Sequence, residues 1–156
     1  MVVDAFSHKG IPTLIIQSFL DELNLEINDA LRQIRPELSV QLDADLNIEY
    51  RRNGNIREYG MLSYGQHVYI SLAFKRGIAR LIQKRLGIDI RILEFDEVDS
   101  HLDEAGVEAF SDVIRKWQKD FKIFVITHNK ELQERFSQVI LVEEDDDGSE
   151  GKLISN

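Results

Sequence analysis

Ile16, Leu20, Leu23, Ile27, Ala30 and Ile34 recur at spacings of four and three. That pattern lays one apolar stripe along a helix of about six turns. Gly10 punctuates its start, Pro12 suits a first helical turn, and Pro36 ends it. The period then changes to two. Leu38, Val40, Leu42, Ala44, Leu46, Ile48 and Tyr50 alternate with Ser39, Gln41, Asp43, Asp45, Asn47 and Glu49. Strict alternation predicts one long strand with a buried face. Asn53-Gly54 supplies a two-residue hairpin turn, and 55–59 returns as its partner.

Helical spacing resumes after Ser63. Val68, Leu72, Ile78, Ala79, Ile82 and Leu86 mark one side, and Gly87 closes the helix. A strand (88–96), a helix (103–119), a strand (121–127), a short helix (130–136) and a strand (138–142) follow. This β-α-β-α-β order predicts an α/β fold with parallel strands and crossover helices. Gly148 and Gly151 permit a turn, after which 152–154 pairs back as an edge strand. There is no internal repeat and no linker, so 1–156 reads as one unit.

Composition narrows the class. The chain is 43% hydrophobic and 30% charged, as globular chains are. It has no cysteine, which excludes disulfides and Cys-ligated zinc. The formal charge is -9, but six acids lie in 143–150 (EEDDDGSE), and 19 bases against 22 acids leave the rest at -3. That balance does not suit a stand-alone nucleic-acid binder. No apolar run approaches the roughly 18 residues of a membrane span. MVVDAFSHKG lacks the pattern of a signal peptide, so the expectation is a cytoplasmic protein that makes no use of a membrane.

Three segments carry candidate chemistry. RILEFDE (91–97) ends a largely apolar strand in two adjacent acids, at the strand edge where open parallel sheets bind ligands. An acid there can hold Mg²⁺ through water, and its neighbour can polarise an attacking water. Solvated acids at a strand end are an equally common outcome. KIFVITH (122–128) ends a second strand in Thr127-His128. If the two strands are neighbours, Asp96, Glu97 and His128 converge. LSYGQ (62–66) offers Ser63 as a helix N-cap and Gly65 as a point of close backbone approach. A helix N-terminus attracts anions, although a plain capped helix explains the segment by itself.

Two partial motifs are rejected. Gly60 and Gly65 have phosphate-loop spacing, but Gln66-His67 stand where Lys and Ser/Thr are needed, and no such loop occurs elsewhere in the sequence. Asp145, Asp147 and Gly148 fall in phase with a calcium loop, but its twelfth position is Ile154 rather than Glu. A solvated acidic turn is the better reading. Arg76, Arg80 and Lys84 form an i, i+4 stripe, read as a solvated helix face in preference to a lever or a DNA-phosphate contact.

Together these pieces resemble the C-terminal lobe of an ABC-type ATPase head. LSYGQ resembles the signature motif, ILEFDE the Walker B strand, Leu102-Asp103 the D-loop, and VITHN the switch-histidine strand. The upstream AFSHKGIPTLII, long helix and hairpin, with YISLAFKRGIARL after the signature, is similar to the SbcC type of SMC-like double-strand-break repair ATPases. The resemblance implies coiled-coil re-entry in 1–37, a hairpin in 38–60, signature and helix in 61–87, and the catalytic α/β part in 88–156. It also implies that Met1-Val2 begins an excised fragment and that an N-terminal lobe carries Walker A.

The implied cofactors are ATP and Mg²⁺. Asp96 would organise the metal through water, Glu97 would be general base, and His128 would sense the γ-phosphate. Ser63, Gly65 and Gln66 would reach nucleotide on an opposing head, with Asp103 at that interface. Implied partners are the N-terminal lobe, a second head paired by ATP, a metallophosphoesterase nuclease, and DNA through the assembly. Localisation would be cytoplasmic or nucleoid-associated, and nuclear in a eukaryote. Tyr64 replaces the usual glycine, Gln66 is nearer the transporter form, and Glu94 interrupts the apolar strand while sharing a face with Asp96. Another SMC-like recombination ATPase without a nuclease, or a non-catalytic dimerisation module, are the alternatives.

Overall fold

A computed structural model describes residues 11–100, 102–145 and 148–155. Gly10, Met1-Val2 and Asp147 of the acidic turn lie outside them. The elements are α1 (Ile11–Ile34), β1 (Leu38–Leu42), β2 (Ile48–Arg52), β3 (Asn55–Arg57), a 3-10 turn (Tyr59–Met61), α2 (Tyr64–Leu86), β4 (Ile92–Asp96), α3 (Glu104–Trp117), β5 (Lys122–Ile126), α4 (Lys130–Glu134), β6 (Gln138–Asp145) and β7 (Gly148–Ser155).

The apolar stripe of α1 packs inward through Leu20, Ile27, Ala30 and Leu31, whereas Ile16 is exposed. Its partner is α2, and the two backbones come close at Gly77. A methyl group there would lie 2.7 Å from Ile27 Cγ1 and 3.0 Å from the Ile27 nitrogen. Glycine is thus required by contact, not by backbone angle. Ion pairs flank the crossing: Arg76 to Asp29 at 3.3 Å, Lys84 to Glu26, and Arg85 to Glu22. The basic stripe is therefore solvated only at its end: Arg76 is buried, Arg80 half-buried and Lys84 exposed. Arg76 is 4% exposed, with its guanidinium 5.4 Å from the Trp117 ring centre. Arg80 pairs with Asp120 at 3.4 Å. The long aliphatic stem of Arg76 lets its cation fill space between helices, which a helical wheel alone does not reveal.

Residues 38–50 do not form one strand. β1 pairs antiparallel with β2, matching Val40 to Tyr50 and Leu42 to Ile48. The break lies at Asp43, whose Oδ1 accepts the Asp45 and Asn47 N–H groups, each at 2.9 Å. Asn47 Nδ2 also donates to Asp43 Oδ2 at 3.0 Å. These bonds, led by the Asn47 side chain, hold the Asp43 carboxyl below its usual range. Leu46 turns outward in a left-handed conformation at φ 63°. Side-chain capture of backbone N–H groups thus outcompetes an apolar alternation. The second turn forms as expected, with Asn53 and Gly54 at φ 50° and 78°.

The free edge of β1 is covered by α1. Asn24 Nδ2 donates to the Leu42 carbonyl at 3.0 Å, and Asn24 Oδ1 accepts the Leu42 N–H at 2.8 Å. Asn28 does the same at Val40, at 2.7 and 3.0 Å. Four helical residues advance about 6 Å and two strand residues about 6.7 Å, so the two asparagines match alternate strand positions.

β4 and β5 pair in parallel, with α3 as the crossover. Leu93 and Phe95 face inward, and Phe95 meets Phe110 of α3 edge-on at 6.1 Å. Phe95, Phe110, Ile114, Trp117, Tyr69 and Leu72 form the centre of the core. Trp117 donates its indole N–H to Gln33 at 3.2 Å. The opposite face of this pair is exposed, including Ile92, Glu94, Asp96, Phe124 and Ile126. Alternation thus places Glu94 beside Asp96, as expected.

β6 departs from the expected parallel extension. Among the described residues it pairs only with β7, antiparallel from Gln138 opposite Ser155 to Asp145 opposite Gly148. The return strand is longer than 152–154. A hairpin closes a far shorter loop than a crossover, which favours the local partner.

Gly77→Ala should lower stability by about 1–2 kcal/mol, because overpacking at Ile27 outweighs the roughly 1 kcal/mol gain in helix propensity. Gly60→Ala, where a methyl group meets nothing within 4 Å, should stay within about 0.5 kcal/mol of the parent. Urea unfolding of both variants checks the pair.

Candidate active site

The site begins with strand register. Ile92 lies opposite Lys122 and Asp96 opposite Ile126, so β4 and β5 end at the same edge. The Glu97 N–H continues the ladder by donating to the Ile126 carbonyl at 2.8 Å. Glu97 then turns into the left-handed region at φ 46°. A side chain at such an angle costs roughly 1–3 kcal/mol and persists only where surrounding contacts impose it. Here the reversal aims Glu97 back over the edge, and its Oε1 lies 2.9 Å from His128 Nε2. The Glu97 and His128 side chains are 51% and 89% exposed. Asp96 lies on the exposed face, and no hydrogen bond or ion pair from the described residues engages its carboxylate.

Glu97 and His128 therefore meet at the edge where the two strands end, and Asp96 closes β4 one residue before Glu97. Among the described residues, no three acidic or histidine side chains cluster closely enough to hold a metal ion by themselves. A single exposed carboxylate nevertheless suits Mg²⁺, which takes one or two protein carboxylates and completes its shell with water and phosphate.

The second group lies at the start of α2. Ser63 Oγ accepts the Gln66 N–H at 3.3 Å, while Gln66 Oε1 accepts the Ser63 N–H at 3.0 Å. This reciprocal capping box occupies the Gln66 side chain, so the local structure uses Gln66 to shape the loop. Ser63 and Tyr64 are exposed. A methyl group at Gly65 would lie 3.6 Å from Leu102 Cδ2, an ordinary contact. Leu102 thus leans on the signature-like loop and also crowds Gly106. Asp103 caps α3, its Oδ1 accepting the Gly106 N–H at 2.8 Å. Leu102, five residues after Glu97, therefore connects the second group to the first.

Two features escaped the sequence reading. Asp99 is buried and accepts the Thr127 hydroxyl at 2.7 Å. Its signal was the third acid in FDEVD, masked by the adjacent pair. His67 stacks on Tyr59 at 4.2 Å and 4°, with its Nε2 at 2.9 Å from the Tyr59 carbonyl oxygen. No spacing in the sequence signals that pairing.

No family model matches the chain. It is 28% identical over 134 residues to the DNA double-strand break repair Rad50 ATPase of Thermoplasma acidophilum, covering 83% of this chain and 14% of that protein. It is 25% identical over 140 residues to exonuclease subunit 2 of Escherichia phage RB69, covering 88% and 25%. A solved structure from work on ATP-driven dimerization and DNA-stimulated activation of SMC ATPases superposes with a TM-score of 0.68 at 23% identity, covering 91% of this chain and 88% of that one. The chain is a homologue of Rad50-type ATPases with the fold of an SMC-like head lobe. This SMC-like lobe spans only about a seventh to a quarter of the curated relatives it matches here. No described helix is long and apolar enough to cross a membrane.

Relief of the backbone angle gives a prediction for the lobe. Glu97→Gly should be at least as stable as the parent, by up to about 1 kcal/mol, because the lost exposed contact with His128 contributes little. Glu97→Gln keeps the strained angle and should stay near parental stability. Thermal melts of the two variants give the comparison.

Proposed function

We propose that this chain is the C-terminal half of an ATP-hydrolysing head that acts in DNA double-strand-break repair and end processing. The observation that carries the reading is the 2.9 Å approach of Glu97 to His128 beside the unengaged Asp96 at one strand edge. Asp96 would hold Mg²⁺ through water. Mg²⁺, when bound, would neutralise charge on the β- and γ-phosphates. Glu97 would take a proton from the attacking water, whose oxygen bonds to the γ-phosphorus as the bond to ADP breaks. His128 would orient toward the γ-phosphate. Such positioning and charge stabilisation supply most of phosphoryl-transfer catalysis.

The sequence holds no phosphate-binding loop, so Walker A would come from an N-terminal lobe. The exposed apolar side chains of Ile92, Phe124 and Ile126 support a further lobe packing on that face. Ser63 and Gly65, with the cap bonds of Gln66, would meet nucleotide on a second head, and ATP would pair the heads with Asp103 at the interface. A metallophosphoesterase nuclease and DNA would be partners of the assembly. The reading as a dimerisation module without catalysis is disfavoured by the intact Asp96, Glu97 and His128.

The test uses heads assembled with a Walker A lobe. Glu97→Gln should lower turnover by about 10²–10⁴-fold while ATP-induced pairing persists, because it removes the base and spares phosphate contacts. Ser63→Arg should leave ATP affinity of each head unchanged and abolish pairing. Ser63→Ala should cost about 1 kcal/mol of stability through the lost cap, with weakened pairing. Turnover assays and sizing with ATP read both effects; parental turnover in Glu97→Gln, or normal pairing in Ser63→Arg, would contradict the assignment.

A further inference from the structure

Beyond Glu97 the backbone ladder between β4 and β5 ends, and among the described residues two side-chain contacts tie the loops together. One tie is the Glu97–His128 contact, which stands in water and is weak there. The other is buried. Asp99 is 3% exposed, and its Oδ2 accepts the Thr127 Oγ1–H at 2.7 Å. Thr127 Oγ1 in turn accepts the Asn129 N–H at 2.9 Å, so the hydroxyl both donates and accepts across the base of His128. Asn129 then caps α4 through its side chain, and Gln133 Nε2 donates to the Thr127 carbonyl at 3.2 Å. The backbone on both sides of His128 is thereby held, while its ring is left exposed. On the other loop, the Ser100 N–H donates to the Glu97 carbonyl at 3.1 Å, and the Leu102 N–H donates to the Asp99 carbonyl at 3.0 Å.

We propose that Asp99 is a positioning residue: its bond to Thr127 locks the loop carrying His128 onto the loop carrying Glu97. This rests on the catalytic reading of Glu97 and His128 given above. A buried carboxylate is costly unless it is hydrogen-bonded, and no described residue partners Asp99 Oδ1. The single bond to Thr127 is therefore what the burial serves. The exposed pair cannot supply that rigidity, because two solvated side chains sample many rotamers. The same loop continues to Leu102 against Gly65, so Asp99 also holds in place the segment that leans on the start of α2.

Two measurements test the proposal. The first is amide hydrogen exchange at Asn129 in the chain itself. Asp99→Ala should speed that exchange about tenfold, because Thr127 loses the acceptor that orients its hydroxyl, while core amides of α2 stay protected. The second is ATP turnover in assembled heads. Asp99→Ala and Thr127→Val should each lower kcat about 10–100-fold with KM for ATP unchanged, since a misplaced group costs rate rather than binding. Asp99→Asn should rescue most of the turnover, because its carbonyl still accepts from Thr127. Thr127→Val is nearly isosteric and carries the test if Asp99→Ala fails to fold.

Parental exchange at Asn129 in Asp99→Ala, or parental kcat in both Asp99→Ala and Thr127→Val, would overturn the proposal. So would an Asp99→Asn defect as large as that of alanine, which would make the charge and not the bond the cause. Absence of Glu97-dependent turnover in the parental assembly would instead remove the catalytic reading, and the role of Asp99 in catalysis with it. The exchange result then still reports whether the tie between the loops exists.

Discussion

Because β4 and β5 pair in parallel with Asp96 opposite Ile126, both strands deliver their C-terminal ends to a single edge. Everything at the site depends on that register. A slip of one residue would turn Phe95 out of the core and move the loop carrying Glu97 away from the loop carrying His128. The register is held by the inward side chains of Leu93 and Phe95 on one face and by α3 through Phe110. Burial of a few aromatic and aliphatic groups therefore determines where a carboxylate and an imidazole meet in solvent.

The rest of the fold supports that edge from a distance. The close crossing of α1 and α2 at Gly77 sets the position of α2, whose N-terminus carries the Ser63 loop. Asn24 and Asn28 tie β1 to α1, so the hairpin leading into that loop is fixed to the same helix. Tyr69 of α2 donates its hydroxyl to the Gly106 carbonyl at the start of α3 at 3.2 Å, which couples α2 to the segment after Leu102. The signature-like loop and the Glu97 loop are thus two ends of one packed network.

Much of this was legible in the sequence. The 3.6-residue spacing of α1, the Asn53-Gly54 turn, the Ser63 cap and the apolar runs ending at Asp96 and Thr127 each report a local preference, and each local preference holds. The failures have separate physical causes. Asp43 broke the alternating strand because its carboxylate captured backbone N–H groups, which alternation does not register. Arg76 was buried against Trp117 and Asp29, contacts between residues distant in sequence. β6 took a hairpin partner in place of a parallel one, a competition between loop closures that neither strand encodes by itself. Asp99 was passed over because its role depends on Thr127, which only the parallel pairing brings near. At the site, residue types and their order were readable, while the left-handed turn at Glu97 and the capping role of Gln66 required coordinates.

The central claim is that these residues form one half of a divided ATP site. The chain supplies a candidate base, a histidine and a carboxylate of a type that suits Mg²⁺, but no loop to cradle phosphates. The most direct measurement is ATP hydrolysis by the purified chain alone, by a Walker A lobe alone, and by the two combined with Mg²⁺. The account predicts no tight ATP binding and no turnover by the chain alone, and turnover that appears only in the combination. Robust, Glu97-dependent hydrolysis by the chain alone would contradict it.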